Sequence, residues 1–417
     1  MEKDSIKTII LENHEFIGQV QVMERDISLE DQGNYVFIGP RRAGKTYCMF
    51  QAIQGFLACG MAMDRVLYIN FEDERLLGLT TNDLHLVIDA HQELFGQKPL
   101  CFFDEIQIIE GWDTFVRRLA DSKHRVFVTG SNATMLSREV ASTLGGRFLI
   151  KEILPFSFRE FLQARDVIVE GNWEYGPQRH DIRRAFDEYF RFGGFPEIQV
   201  FKEKRSWLEN LYQKIFYGDL MARYKVRNSL ALRLLIKKLA ESVQSAISLN
   251  RVKNSIQSTG TAIGVSTISE YISYLDESYL VFGVSNYWAK FSERETHKKY
   301  YFVDNGILGL FLMNPQTRLL ENMVAVELRR RGKEYFFAKR NLEVDFYIPS
   351  DELAIQACYS IEDHETEVRE TRAILDVGKR LEARRLLIIT LDDERIIEQG
   401  DARIEVVPIW KFLLGGV

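Results

Sequence analysis

Cysteine is scarce and scattered: Cys48, Cys59, Cys101 and Cys358 lie far apart with no CxxC pair. That spacing indicates neither a disulfide framework nor a zinc site, and each thiol reads as a small buried hydrophobe in a reducing compartment. No apolar run approaches the roughly 18 residues needed to cross a bilayer. The opening segment MEKDSIKTII is charged and lacks the apolar core of a secretory leader. Neither a membrane span nor export is expected, and a cytoplasmic protein is. Internal repeats and low-complexity tracts are missing as well. What is present is core-forming material: 46% of the 417 residues are hydrophobic and 27% charged, enough for about three domains of ordinary size. The net charge of −6 is uneven, because residues 201–300 hold 16 Lys and Arg against 9 Asp and Glu. A basic middle between acidic flanks suits a polyanion, an acidic intramolecular partner, or simply a solvated face.

Residues 35–56, YVFIGPRRAGKTYCMFQAIQGF, run from an apolar stretch through a glycine-bounded loop into amphipathic patterning. This is GxxxxGK followed by Thr, between a predicted strand and a predicted helix, the setting in which that pattern binds phosphate. The loop Gly39, Pro40, Arg41, Arg42, Ala43, Gly44, Lys45, Thr46 and Tyr47 would wrap phosphate oxygens at the positive end of a helix dipole. Lys45 would reach the β- and γ-phosphates, and the Thr46 hydroxyl would ligate Mg²⁺. Arg41 and Arg42 suit either phosphate contact or pairing with acids on neighbouring loops.

If residues 36–39 form the first core strand, later strands of the same parallel sheet should deliver the remaining parts at their C-terminal ends. Residues 65–71 (RVLYINF), 99–105 (PLCFFDE) and 125–132 (RVFVTGSN) read as those strands. Asp104 stands where a Walker B aspartate holds Mg²⁺, and Glu105 beside it is placed to polarise the attacking water. Ser131 or Asn132 would sense the γ-phosphate or position that water; both also suit a turn. Arg147, in LGGRF, would donate to the γ-phosphate within its own chain or in a neighbouring one, or is a solvated arginine after a Gly-Gly turn.

Taken in order, GPRRAGKT, YINFEDERL, CFFDEIQ, TGSNA, LGGR, LPFSFREF and RFGGFPE resemble the prokaryotic AAA-type ATPases that carry a C-terminal domain of unknown function. The resemblance covers nearly the whole chain. It implies ATP as the nucleotide, and no guanine-reading NKxD follows the fourth strand. It implies an α/β fold: a P-loop NTPase parallel sheet of the AAA/ASCE kind, a winged-helix-like α domain, and a restriction-endonuclease-like, PD-(D/E)xK α/β domain. The expected divisions are 1–198, 199–290 and 291–417. The resemblance also sets Asp219 and Arg223, in YGDLMARY, within a shared block, without a chemical role.

Phe190 to Pro196 (FRFGGFP) reads as a hinge out of the ATPase region, since two glycines and a proline break helix propagation. Residues 249–282 read as a helix-turn-helix, LNRVKNSIQ, then STGTAIG, then VSTISEYISYLDESYLV. Ile268, Ile272, Leu275 and Tyr279 make one buried stripe. The outward positions, Ser269, Glu270, Ser273, Asp276 and Glu277, offer no Lys or Arg, so sequence-specific reading of DNA by this helix is not expected. Lys237, Lys238, Arg251, Lys253, Lys298 and Lys299 remain for non-specific phosphate contact.

Residues 319–417 follow the element order of a PD-(D/E)xK nuclease, with Glu321 on the first helix and Asp345 in the Asp position, Glu343 preceding it on the same strand face. Gln356 and Cys358 occupy the ExK positions, where an amide removes one metal charge and a thiol cannot replace the ammonium. A domain that keeps the fold and has lost cleavage is expected. Arg329, Arg330 and Arg331 are accounted for by the helix dipole. The functional expectation is an Mg²⁺-dependent ATPase relaying its nucleotide state to the C-terminal domains, with DNA or a protein as partner and oligomer formation open. A slow-turnover, nucleotide-gated scaffold is the alternative, and an ATP-driven nuclease the third.

Overall fold

The computed structural model describes residues 3–130, 144–169, 171 and 173–415. Their contacts fall into two compact units, Met1–Leu154 and Pro155–Val417. Among the described residues no helix is long and apolar enough to cross a membrane.

In the first unit the apolar runs become the parallel strands β1 (Asn34–Ile38), β2 (Val66–Asn70), β3 (Leu100–Asp104), β4 (Val126–Gly130) and β5 (Phe148–Glu152), in the order β2-β3-β4-β1-β5. A parallel sheet is covered on both faces, so its inner strands are apolar throughout instead of alternating. This is why YVFI and LCFF read as continuous runs; VLYI, in the edge strand β2, is buried as well. β5, at the edge, leaves Leu149 and Ile150 exposed. Helices α1 (Lys3–Gln19), α2 (Lys45–Ala58), α3 (His85–Phe95) and α4 (Trp112–Asp121) complete the unit. One core cluster joins Tyr35, Phe37, Phe102 and Phe127 of the sheet to Met49 and Ile53 of α2. Within it the Phe102 and Phe127 rings stack 4.6 Å apart.

Ile38 lies opposite Gly130, and Asn70 opposite Asp104, so these strands end level at one edge. Open α/β sheets bind ligands beyond that carboxyl edge. The strand order sets β4 between the loop-bearing β1 and the acid-bearing β3. Two glycines let the chain leave β1. Gly39 has φ 149°, and a Cβ there would stand 2.1 Å from the Ile153 carbonyl oxygen; Gly44 has φ 94° at the start of α2. Gly39→Ala is therefore expected to lower stability by about 2–3 kcal/mol in urea denaturation, through left-handed strain and overlap with backbone.

The second unit begins with the helices Phe158–Gln163, Gln178–Phe192 and Lys204–Lys214. A π-helical stretch, Ile215–Ala222, follows and carries buried Asp219, whose carboxylate lies 3.6 Å from the Arg223 guanidinium. After the helix Ser229–Glu241 come β6 (Ile247–Ser248), the helices Leu249–Gln257 and Val265–Glu277, and the strands β7 (Val281–Ser285) and β8 (His297–Phe302). These strands form a three-stranded sheet, β6-β8-β7. Ile268, Leu275 and Tyr279 are buried and Ile272 half-buried, while Ser269, Glu270, Ser273 and Asp276 face solvent. The chain then runs through the helix Gln316–Arg330, strands β9 (Phe336–Lys339), β10 (Glu343–Ile348) and β11 (Leu353–Ala357), the helix His364–Leu381, and strands β12 (Arg385–Thr390), β13 (Arg395–Gln399) and β14 (Ala402–Pro408). They build a six-stranded mixed sheet, β13-β14-β12-β11-β10-β9.

The Gly193-Gly194 turn, expected as a hinge, is a packed corner inside this unit. Gly193 has φ 76°, and a Cβ there would meet the Asp304 carboxylate at 2.0 Å. The Gly194 N–H donates to that carboxylate at 2.8 Å. A second expectation is corrected at Lys299. Lys237 and Arg251 are exposed and Lys238, Lys253 and Lys298 half-buried, but Lys299 has no exposed surface at all. Phosphate cannot reach it.

Candidate nucleotide-binding site

The loop between β1 and α2 sits at the carboxyl edge of the sheet, because Ile38 ends β1 there and Lys45 opens the helix. Its Lys45 side chain is buried, and the ammonium donates to the carbonyl oxygens of Gly39 (3.1 Å) and Pro40 (3.0 Å). The charge therefore rests across the mouth of the loop. From below, the buried guanidinium of Arg25 donates to the Ala43 carbonyl and to the Leu154 carbonyl, both at 2.9 Å. That brace ties the loop to the chain just beyond β5.

Asp104, 1% exposed at the end of β3, gathers three hydroxyl groups. Thr46 donates to one carboxylate oxygen at 2.7 Å and Tyr68, from β2, to the same oxygen at 3.0 Å. Thr129 of β4 donates to the other. Burial first, and then the Asp104 charge, hold the Tyr68 phenol far above its ordinary range, so it keeps the proton it donates to Asp104. The Thr46 hydroxyl and the Asp104 carboxylate are hard oxygen donors in direct contact beside the loop, and this donor set fits Mg²⁺. The order β1-β4-β3 sets β4 between the loop-bearing and acid-bearing strands, and its Thr129 binds the acid side, donating to Asp104 and accepting from the Glu105 N–H.

Glu105 leaves the strand with φ 51°, an uncommon left-handed conformation for a glutamate. Its N–H donates to the Thr129 hydroxyl at 2.9 Å, and Gln107 donates to its carboxylate. Burial pushes the Glu105 carboxyl up, Lys45 opposes this, and Asp104 adds to it. Backbone strain of this kind at a strand end persists only where neighbours hold it, which Thr129 and Gln107 do here.

The other expected site residues fall as follows. Pro40 and Ala43 are buried, Arg42 is exposed in the left-handed region (φ 60°), and Arg41 lies 3.9 Å from Glu72. Tyr47 is half exposed, its ring edge-on to Phe50. Ser131 and Asn132 lie outside the described residues. Arg147 is at the other end of the sheet. It precedes Phe148, which pairs with Asn34 at the opening of β1, whereas the loop departs from Ile38. Four strand residues separate the two by about 13 Å. Its guanidinium donates to Asp121 at 2.7 Å, and its carbonyl accepts from Asn34 at 3.1 Å. Within its own chain Arg147 stands away from the loop, so only donation to a neighbouring copy is compatible with a catalytic role. Arg25, Tyr68 and Thr129 were not singled out by the sequence, since a tyrosine and a threonine within β-rich runs read as ordinary strand formers.

Fold and site together define a P-loop α/β domain, and residues 31–162 match the family described as an AAA domain. Residues 183–318 match a domain of unknown function (DUF8612). The chain belongs to the family of the uncharacterised protein MJ1544 of Methanocaldococcus jannaschii, with 34% identity covering 99% of this chain and 96% of that one. An uncharacterised protein of Haemophilus influenzae is 31% identical over 83% of this chain and 87% of its own. Among solved structures, the chain is similar to the Walker-type ATPase PABY2304 of Pyrococcus abyssi at 14% identity, with a TM-score of 0.42 over 74% of this chain and 95% of that one.

Proposed function

We propose that the chain is an Mg²⁺-dependent ATPase whose nucleotide state is relayed to its C-terminal parts. The observation that carries this is the meeting of Thr46, Asp104 and Glu105 at one strand edge, beside the ammonium of Lys45. The chemistry Mg²⁺ would supply when bound is positive charge that offsets the negative charge developing in phosphoryl transfer. Thr46 and Asp104 are the residues to hold it. Lys45, lifted from the Gly39 and Pro40 carbonyls, pairs with phosphate instead. Glu105 takes the proton side of the attacking water, held in position by Thr129 and Gln107. Arg41 and Arg42 flank the phosphates, and Arg147 serves a neighbouring subunit. Phosphate release by purified protein with ATP and Mg²⁺, measured with and without duplex DNA, tests this reading. Background-level release in both sinks it.

We keep the three-part division 1–198, 199–290 and 291–417 as a proposal. The order helix, β6, helix, helix, β7 within 199–290 supports a winged-helix-like middle, whose small sheet is completed by β8 just beyond that bound. Its outward helix face is acidic, which favours a protein contact over sequence-specific reading of DNA. The order helix, β9, β10, β11, helix, β12 supports a PD-(D/E)xK-like end that no longer cuts. Gln356 is engaged as a structural amide, accepting from the Asp345 N–H at 3.3 Å and donating to Glu370 at 2.8 Å. Burial holds the Cys358 thiol up at about 11, so it carries no charge at neutral pH. Plasmid and single strands incubated with the protein and Mg²⁺ or Mn²⁺ should remain uncut. Cleavage abolished by Asp345→Ala would refute the loss.

A further inference from the structure

We infer that the Lys299 ammonium is the resident cation of a buried acid site, standing where a divalent metal ion would otherwise be held, and that removing it opens that site to such an ion. Glu321 enters from the helix Gln316–Arg330. Glu343 and Asp345 come from β10, two residues apart and therefore on one face. Lys299 crosses from β8, and its Nζ lies 3.0 Å from Glu321, 2.8 Å from Glu343 and 2.8 Å from Asp345. Three ammonium hydrogens meet three carboxylates, which uses every donor the group has.

Lys299 is 0% exposed, Glu321 1% and Asp345 6%. Charges buried this deeply persist only with counter-charge and hydrogen bonds. Both are supplied locally: the Tyr301 hydroxyl donates to Glu321 at 2.8 Å and the Ala357 N–H to the second oxygen of Asp345 at 3.0 Å. Lys339 adds an outer cation on Glu343 at 2.6 Å. As they stand, no three or more His, Cys, Asp and Glu among the described residues are disposed to hold a metal ion, these three acids included. The ammonium keeps the oxygens at 2.8–3.0 Å, wider than the roughly 2.0–2.6 Å of Mg²⁺ or Ca²⁺ coordination. Once the lysine is gone, contraction by several tenths of an ångström brings three carboxylates into that range, and the vacated stem admits water as further ligand.

The test is Mn²⁺ titration of the full chain without nucleotide, following the free ion by electron paramagnetic resonance. Lys299→Ala is expected to take up about one Mn²⁺ per chain beyond wild type, and Lys299→Ala/Asp345→Asn to return to the wild-type level. Mn²⁺ should raise the melting temperature of Lys299→Ala by about 5 °C or more relative to its effect on the double variant. Equal uptake by wild type and folded Lys299→Ala overturns the inference. Should Lys299→Ala fail to fold, wild type and Asp345→Asn decide: equal Mn²⁺ uptake is expected, and an ion that wild type binds and Asp345→Asn loses overturns it.

Discussion

Glu105→Gln is expected to retain ATP binding while phosphate release falls by about 10²–10⁴-fold, the usual contribution of a positioned general base. The replacement is isosteric, so the N–H bond to Thr129 and the left-handed turn that sets the side chain both survive. What is lost is a carboxylate able to accept a proton from water. The outcome should differ in kind from Lys45→Ala, which removes the charge that meets phosphate and weakens binding itself. Phosphate release by Glu105→Gln within about threefold of wild type would assign the proton transfer to another group.

The second large effect concerns stability. Lys299→Met is expected to cost about 3–5 kcal/mol in urea denaturation, because it strands three carboxylates in a buried cluster. Asp345→Asn should cost far less, under about 1.5 kcal/mol. The asymmetry follows from the charge count: three acids face one buried ammonium, with Lys339 touching only Glu343. Burial, and then the neighbouring Asp345 charge, already push the Glu321 carboxyl up. Removing one acid relieves that repulsion, whereas removing the lysine exposes all of it. Equal losses from the two substitutions would mean that packing around the cluster, and not charge, governs its stability.

The glycine-bounded loop after β1 and the acids after β3 are legible in the sequence because their pattern is local. A glycine-bounded loop closing on Lys45-Thr46, and two acids closing an apolar run at Asp104-Glu105, carry their meaning within a few residues. Parallel strands buried on both faces likewise announce themselves as unbroken apolar runs. The hydroxyls around Asp104 did not, since Tyr68 and Thr129 gain their role only when strand order sets β2 and β4 on either side of β3. The place of Arg147 is hidden for a related reason: sequence proximity to the fourth strand says nothing about which end of β5 it occupies. Lys299 shows the same limit. In HKKYYF two adjacent lysines look alike, yet strand alternation turns Lys298 towards Glu295 and Lys299 into the acids of Glu321, Glu343 and Asp345. Partners 22 to 46 residues away decide between them. The glycine corner at 193–194 reads in the sequence as a breaker, and its tight fit against Asp304 appears only once the fold is assembled.

The central claim is that the loop from Gly39 to Thr46, with Asp104, grips a triphosphate and its metal ion. Isothermal titration of ATP with Mg²⁺ into the wild-type chain and into Lys45→Ala tests it most directly. Saturable heat from wild type, lost or weakened at least about tenfold in Lys45→Ala, is the expected result. No binding heat from folded wild-type protein at more than one temperature would contradict it.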